Sequence, residues 1–154
     1  MNVTQTTVDY GLLSELAYLR LENFSGNYKN IEQVKDFINS DESGISDNRK
    51  ETIKNILSKY TIDDFETTTS GMQAMTLIKN DGSGITVAFR GTETSGWEAI
   101  KDLDSDADMA LGEEIQQMKD ALTYMQKVEN DYNNIAPITL TGHSLGGALA
   151  QYVA

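Results

Sequence analysis

The sequence contains a G-x-S-x-G pattern, which runs Gly142-His143-Ser144-Leu145-Gly146. Glycine at both ends of this pattern is typical of a tight strand-to-helix turn, because a Cβ at either place would collide with neighbouring backbone. Such a turn holds the serine hydroxyl clear of the sheet, where it can attack a carbonyl carbon. The pattern therefore predicts that Ser144 is the nucleophile of an acyl transfer.

The residues on either side of the pattern favour this turn. The β-branched run from Ile138 to Thr141 predicts a short strand. The small residues from Leu145 to Ala154 predict a helix that packs closely on a sheet. Strand, turn and helix together are the context that the motif requires. The alternative interpretation is a glycine-rich turn that contains a serine by chance.

A second pattern points to the same chemistry. The apolar run Ile85 to Phe89 predicts a buried central strand, and Arg90, Gly91 and Thr92 follow it. Attack on an ester carbonyl builds an oxyanion, and each backbone N–H donor that stabilises it contributes about 3 kcal/mol. In hydrolases with this turn, one donor is the residue after the nucleophile, and the other lies in a loop after an earlier strand.

The elements that must position these residues can be predicted along the chain. Helical spacing predicts helices over 8–21 and 31–38, and a third through Lys59 that Ser46 or Asp47 can cap. A long helix is predicted over 113–132, with an apolar face of Ile115, Met118, Leu122, Met125, Val128 and Tyr132. Strands are predicted over 62–69 and 72–79, joined by a hairpin at Ser70 and Gly71. This order predicts an α/β fold with a mixed sheet. We expect one domain over 1–154, with a helical lead-in over 1–60 and the sheet and elbow over 61–154.

The segments Val87 to Thr92 and Thr141 to Ala148 resemble the class 3, fungal-lipase-like family of α/β-hydrolases, including bacterial lipase-like domains. The specific match covers roughly residues 85 to 154. The resemblance implies an α/β-hydrolase fold in which Ser144 is the nucleophile and the oxyanion hole is formed by Thr92 and Leu145. It also implies that Trp97 lies near the acyl site, on a lid. Further supporting residues would be Arg90, Gly91, Gly142, His143 and Gly146.

The chain departs from this family in its catalytic base. In the family, the Asp and His of the triad follow the elbow helix, whereas the one histidine here is His143 and the last residue is Ala154. Successive side chains diverge on a turn, so we expect His143 to be a packed elbow residue. We therefore expect a hydrolase domain truncated after the nucleophile-elbow helix. Such a chain would be inactive or nearly so, with the remaining C-terminal part as its partner.

An acidic stretch has the spacing of a calcium loop. Oxygen ligands at positions 1, 3 and 5 and a carboxylate at position 12 are the EF-hand pattern, matched in part by Asp102, Asp104, Asp106, Asp108 and Glu113. Position 6, however, is Ala107, where the loop needs glycine. We expect a solvated acidic turn, with calcium as the weaker alternative and no other metal or cofactor.

The composition excludes several classes of partner. Acidic residues outnumber basic ones 24 to 12, and the net charge of −12 disfavours nucleic acid and anionic membrane surfaces. The absence of cysteine excludes disulfides and thiolate sites. Neither a transmembrane segment nor an N-terminal signal peptide is expected. The compartment stays open between the cytoplasm and export through a C-terminal signal outside this chain.

The function favoured by the sequence is hydrolysis of a lipid carboxylic ester, by a triacylglycerol lipase or a phospholipase or esterase, through an acyl-enzyme on Ser144. An acyltransferase or thioesterase is an alternative, because the same elbow serves many acyl chemistries. A non-catalytic remnant that binds acyl ligands or a protein is the alternative from another class. The substrate would be a lipid or a small ester.

Overall fold

The computed structural model of the chain describes residues 5–90, 106–132, 135–142, 150 and 153–154. In these ranges three helices come first, followed by three strands, a long helix and a further strand. Their bounds are α1 (Gln5–Leu16), α2 (Ile31–Asn39), α3 (Lys50–Ile56), β1 (Tyr60–Thr67), β2 (Gln73–Lys79), β3 (Ile85–Arg90), α4 (Asp106–Tyr132) and β4 (Ile138–Gly142). Short 3-10 turns lie at Leu21–Asn23, Asp41–Ser43 and Asp47–Arg49.

The strands of the described residues form one sheet in the order β1-β2-β3-β4. β2 pairs antiparallel with β1 and with β3, whereas β4 pairs parallel with β3. The β1–β2 hairpin turns at Gly71, whose φ of 93° is a left-handed conformation that glycine adopts without strain. α4 is the crossover connection that a parallel pair of strands requires. The predicted mixed α/β sheet is therefore confirmed.

The two faces of the sheet are covered by different helices. One apolar cluster joins α1, α2 and α3 to the sheet through Met75, Leu77 and Ala88. The other joins α4 to the sheet through Ala74, Val87 and Phe89. Residues 85–89 are all buried, as the sequence predicts for a central strand covered on both faces.

The first helix differs from its predicted range of 8–21. α1 begins at Gln5 and ends at Leu16, where Tyr18 N–H donates to the carbonyl of Glu15 and tightens the last turn. The reason lies outside the helix, because side chains from the sheet bind the carbonyls that follow Leu16. A local periodic pattern does not contain this long-range contact.

The helix predicted through Lys59, with Ser46 or Asp47 as its cap, is also shorter than its pattern. Residues Asp47–Arg49 form a 3-10 turn, and α3 covers only Lys50–Ile56. Ser46 precedes the turn, but its hydroxyl donates to the side chain of Asn48 at 2.9 Å and does not cap a backbone amide. The nearby carbonyls at the end of α2 are bound by the Lys50 ammonium, which donates to Asn39 and Ser40 at 3.1 and 3.3 Å.

The fourth helix begins at Asp106, so the expectation of an acidic turn as far as Glu113 is wrong. Carboxylates in a first turn are favourable beside the positive end of a helix dipole, and alanine, methionine and leucine have high helix propensity. The backbone of Asp106, Asp108 and Glu113 is therefore helical, and the weaker calcium alternative stays a prediction. Asp102 and Asp104 lie outside the described residues. In the described ranges, no three acidic or histidine side chains are grouped so that they could hold a metal ion.

The buried face of α4 agrees in part with the predicted one, since Met125 and Val128 are buried and Met118 and Tyr132 pack against the same cluster. Ala121, Tyr124 and Val128 are buried against the sheet, whereas Ile115 and Leu122 are 46% and 41% exposed. The small side chain of Ala121 lets the helix approach the sheet closely, and the large ring of Tyr124 fills the space beside it. No described helix combines the length and the apolar character that crossing a bilayer requires.

Candidate active site

The candidate site lies at the edge of the sheet that is formed by the carboxyl ends of β3 and β4. β3 ends at Arg90 and β4 ends at Gly142, and Phe89 is the register partner of Gly142. Neighbouring strands are about 4.8 Å apart. The segment that begins with Gly91 and the segment that begins with His143 therefore start from adjacent points of the same edge, which is called the site edge below.

Most residues that the sequence predicts for catalysis follow these strand ends. Gly91, Thr92, Trp97, His143, Ser144, Leu145 and Gly146 lie outside the described residues. Gly142 and Arg90 are described, and each is the last residue of its strand. The convergence of Thr92 and Leu145 on Ser144 thus stays a prediction.

The surroundings of the elbow sequence agree with the predicted order of elements. The strand predicted over 138–141 is confirmed as β4, which extends to Gly142. Beyond the elbow sequence, Ala150 and Val153 are helical. Ala150 is buried in the same apolar cluster as α4, and Val153 packs against that cluster.

Arg90 points away from α4, towards the face covered by α1. Its guanidinium Nη1 donates to the carbonyl of Tyr18 at 3.4 Å. The guanidinium carbon also lies 5.8 Å from the centroid of the Tyr18 ring, within the range of a cation–π contact. Arg90 therefore joins the end of β3 to the segment that follows α1.

Gln73 is a residue of the site edge that the sequence analysis missed. It is the register partner of Arg90 and is fully buried. Its Nε2 donates to the carbonyls of Ala17 and Leu19 at 2.6 and 2.8 Å, and its Oε1 accepts from the Thr67 hydroxyl at 3.3 Å. A glutamine inside the otherwise apolar run Met72 to Met75 was the available signal, because a buried amide needs partners.

The β1–β2 hairpin also reaches the site edge and is bonded to α4. The Ser70 hydroxyl donates to Asp120 Oδ2 at 2.6 Å, and Gln117 Nε2 donates to the Ser70 carbonyl at 2.8 Å. Burial acts to raise the pKa of Asp120, but hydrogen bonds from Ser70, Gln116 and Thr68 outweigh it and lower the pKa below its ordinary value. The hairpin and α4 are therefore held together by an ionised carboxylate.

α1 is bonded to β4 as well as to β2 and β3. The Tyr10 hydroxyl donates to Thr139 Oγ1 at 3.4 Å, and the Thr141 hydroxyl donates to the Tyr10 carbonyl at 3.2 Å. Since the segment after α1 binds Gln73 and Arg90, this helix links three strands close to the site edge.

Among the described residues, a cavity of about 610 Å³ lies between residues 11–18 and 44–53. Its lining includes Ser14, Tyr18, Ile45, Arg49 and Glu15. Arg49 and Glu15 form a two-pronged ion pair at 2.8 to 3.1 Å. Of the described residues predicted for the acyl site, Arg90 and Gly142 are not among the lining residues.

The fold is similar to that of solved fungal lipases. Lipase II from Rhizopus niveus matches with a TM-score of 0.59 at 21% identity, over 95% of this chain and 52% of that one. A lipase from Rhizopus microsporus var. chinensis matches with a TM-score of 0.56 at 20% identity, over 97% and 50%. Lip2 lipase from Yarrowia lipolytica matches with a TM-score of 0.53 at 17% identity, over 97% and 53%.

These likenesses confirm the fungal-lipase-like, α/β-hydrolase-type fold that the sequence motifs imply. The chain spans about half the length of each of these lipases. Identities this low show the fold and leave the activity to be proposed. No match was found among curated proteins.

The family comparison covers the sheet and the site edge together. A family model described as Mbeg1-like matches residues 47–154. This range begins at the turn before α3 and includes β1 to β4, and thus both strands that lead into the predicted catalytic loops. It amounts to more than half of the sequence, so the chain belongs to the Mbeg1-like family.

Proposed function

We propose that this chain carries the nucleophile and the oxyanion hole of a serine hydrolase that cleaves lipid carboxylic esters. The observation that carries the proposal is the parallel pairing of β3 with β4, in which Phe89 is the register partner of Gly142. This pairing starts the Arg-Gly-Thr segment and the G-x-S-x-G segment from neighbouring points of one edge. It supports the proposal that two sequence patterns serving the same reaction lie close in space.

The proposed reaction proceeds through an acyl-enzyme. The hydroxyl oxygen of Ser144 attacks the ester carbonyl and loses its proton to a general base, and the carbonyl oxygen becomes an oxyanion. The backbone N–H groups of Thr92 and Leu145 stabilise that oxyanion, each by about 3 kcal/mol. The tetrahedral intermediate expels the alcohol, which takes the proton, and water then releases the fatty acid by the same steps. The chemistry requires no cofactor.

The general base is proposed to come from polypeptide outside these 154 residues. The one histidine of the chain is His143, directly beside the nucleophile. Successive side chains on a turn diverge, so His143 is poorly placed to accept the proton of Ser144. The fact that the chain spans about half of the similar lipases supports a base and an orienting acid supplied from elsewhere.

The proposed substrates are acylglycerols, phospholipids or smaller esters. The three similar solved proteins named above are lipases. A net charge of −12 does not favour binding to an anionic membrane surface, so contact with lipid would depend on apolar side chains. Trp97 is proposed to belong to a lid over the acyl site.

Labelling with a fluorophosphonate probe tests this proposal. The natural polypeptide that contains these residues is incubated with the probe, digested and mapped by mass spectrometry. We expect modification at Ser144, and we expect a Ser144→Ala variant to lose both the label and the turnover of p-nitrophenyl esters. Ser70→Ala is a matched control, because it removes another serine hydroxyl at the site edge and should retain the label.

The result that contradicts the proposal is a folded protein that neither labels nor turns over esters. Such a result would support the non-catalytic binding alternative. Labelling at Ser144 together with transfer to an alcohol or cleavage of a thioester, in place of ester hydrolysis, would support the acyltransferase or thioesterase alternative.

A further inference from the structure

The segment that follows α1 presents three consecutive backbone carbonyls to the sheet. Residues Ala17, Tyr18 and Leu19 come directly after Leu16, the last residue of α1. Carbonyls at a helix C-terminus have no partner within the helix and carry the negative end of its dipole. Ala17 and Leu19 are fully buried. The Leu19 carbonyl accepts the N–H of Leu21 at 2.9 Å, but the donors to the Ala17 and Tyr18 carbonyls come from another part of the protein.

Two neighbouring side chains of the sheet supply those donors. Gln73 Nε2 donates to the carbonyls of Ala17 and Leu19 at 2.6 and 2.8 Å, and Arg90 Nη1 donates to the carbonyl between them at 3.4 Å. Gln73 and Arg90 are register partners on β2 and β3, so their side chains leave the sheet on the same face. We call Gln73 and Arg90 the carbonyl clamp.

The carbonyl clamp lies immediately before the predicted oxyanion loop. Arg90 is the last residue of β3, and Gly91 and Thr92 follow it directly. On the other strand, Gln73 is the first residue of β2 and comes just after the hairpin tip that Ser70 joins to α4. The end of β3 is thus held against α1 on one side and, through β2, against α4 on the other.

We propose that Gln73 and Arg90 are positioning residues for the oxyanion loop. By binding the carbonyls after α1, they hold the end of β3 in one place, so that the Thr92 amide starts from a constant position relative to Ser144. This inference rests on the proposed function. A displacement of about 1 Å in catalytic geometry can reduce a rate about 100-fold, so a small movement of this strand end is sufficient for a large effect.

A positioning role differs from a structural one in what a mutation changes. If the clamp only stabilises the fold, its loss lowers the free energy of unfolding but leaves the turnover of each folded molecule intact. If it positions the loop, its loss lowers kcat of the folded protein. KM stays nearly constant, because the amide stabilises the oxyanion and not the bound ester.

The experiment compares variants in the natural polypeptide that contains these residues. Gln73→Leu removes both buried donors, Arg90→Met removes the guanidinium, and Arg90→Lys retains a cation that can reach the same carbonyl. Lys50→Met is the matched control, because Lys50 also binds carbonyls at a helix C-terminus, those of Asn39 and Ser40. Within the described part of the chain, Lys50 makes no bond to the sheet. Each protein is assayed for kcat and KM with p-nitrophenyl esters and for urea unfolding.

We expect Gln73→Leu and Arg90→Met to lower kcat about 10- to 100-fold in protein that is fully folded by circular dichroism. KM should change less than about 2-fold. Arg90→Lys should recover part of the lost kcat, and Lys50→Met should lower stability without lowering kcat. Equal loss of stability in the Gln73 and Lys50 variants with kcat unchanged in both would overturn the inference. If the parent protein shows no turnover and no labelling at Ser144, the proposed function is wrong, and the positioning role is wrong with it.

Discussion

Hydrogen bonds from the polar side chains of Gln73 and Arg90 connect the site edge to the segment after α1. Gln73 is an amide in an apolar strand, and all of its hydrogen-bonding atoms have partners. The sequence motif predicts Arg90 beside the oxyanion loop. The motif does not predict the contact of Arg90 with Tyr18, which the structure shows. The residue types could be read from the sequence, but their partners could not, since Ala17 and Tyr18 are far away along the chain.

A second buried polar pair lies on the opposite face of the sheet, at a distance from the clamp. Thr76 and Tyr124 share a hydrogen bond of 2.6 Å, and both are essentially inaccessible to solvent. Burial raises the pKa of Tyr124, although the hydrogen bond with Thr76 acts in the opposite direction. The phenol therefore stays neutral and takes part in the core as a hydrogen-bonding group.

Tyr124→Phe should lower the free energy of unfolding by about 1–2 kcal/mol, because it leaves the Thr76 hydroxyl buried without this partner. The double variant Thr76→Val with Tyr124→Phe should be less destabilised than the sum of the single variants, because no unpaired hydroxyl remains. Urea denaturation of the four proteins measures the coupling. Strict additivity would show that the hydrogen bond contributes nothing.

At the scale of elements, the β1–β2 hairpin and α4 are coupled through Ser70 and Asp120. The pKa of Asp120 in the folded protein is below its ordinary value, and in the unfolded chain it should be about 3.9. A lowered carboxyl pKa contributes stability above the unfolded value and loses it as the pH falls through the folded value. The contribution is therefore present at neutral pH and disappears in acid.

We predict that Ser70→Ala lowers stability at pH 7 and that the difference from the parent protein shrinks below about pH 4. The measurement is urea denaturation between pH 7 and pH 3. Asp120→Asn is the control, since a protein without this carboxylate should show no such pH-dependent difference when Ser70 is replaced. A difference that stays constant across the whole range would contradict the assignment of the interaction to an ionised Asp120.

Local patterns predicted some elements closely and others poorly. The apolar run Ile85 to Phe89 and the β-branched run Ile138 to Thr141 each match a strand to within a residue. The first is buried on both faces, and β-branched residues favour a strand in the second. The end of α1 could not be predicted, since carbonyl donors from β2 and β3 determine it. The buried face of α4 was predicted in part, because Met125 and Val128 are buried whereas Ile115 and Leu122 are exposed, and a local pattern does not show which apolar residues meet the sheet.

At the scale of the whole molecule, the two outermost strands of the described sheet, β1 and β4, differ in charge and regularity. β1 carries Asp63, Asp64 and Glu66 and has an irregular register between Ile62 and Asp64, and such features protect a sheet edge from pairing with other strands. β4 has the sequence Ile-Thr-Leu-Thr-Gly, without a charged residue or proline. This difference is consistent with a catalytic unit that includes more polypeptide beside β4, as proposed above.

The isolated 154-residue chain should hydrolyse p-nitrophenyl esters hardly above background. Without a base, a serine hydroxyl is a weak nucleophile, and loss of one triad member costs several orders of magnitude in rate. Ser144→Ala should therefore change the residual rate very little. Efficient turnover that is lost in both Ser144→Ala and His143→Ala would identify His143 as the base and contradict this account.

The central claim is that Thr92 and Leu145 form an oxyanion hole beside Ser144. The most direct test is a crystal structure of the natural polypeptide after reaction with a fluorophosphonate, in which the phosphonyl oxygen occupies the position of the oxyanion. We predict that this oxygen lies about 2.7–3.1 Å from the amide nitrogens of both Thr92 and Leu145. A phosphonyl group on another residue, or a Thr92 amide more than about 10 Å from the phosphonyl oxygen on Ser144, would contradict the account.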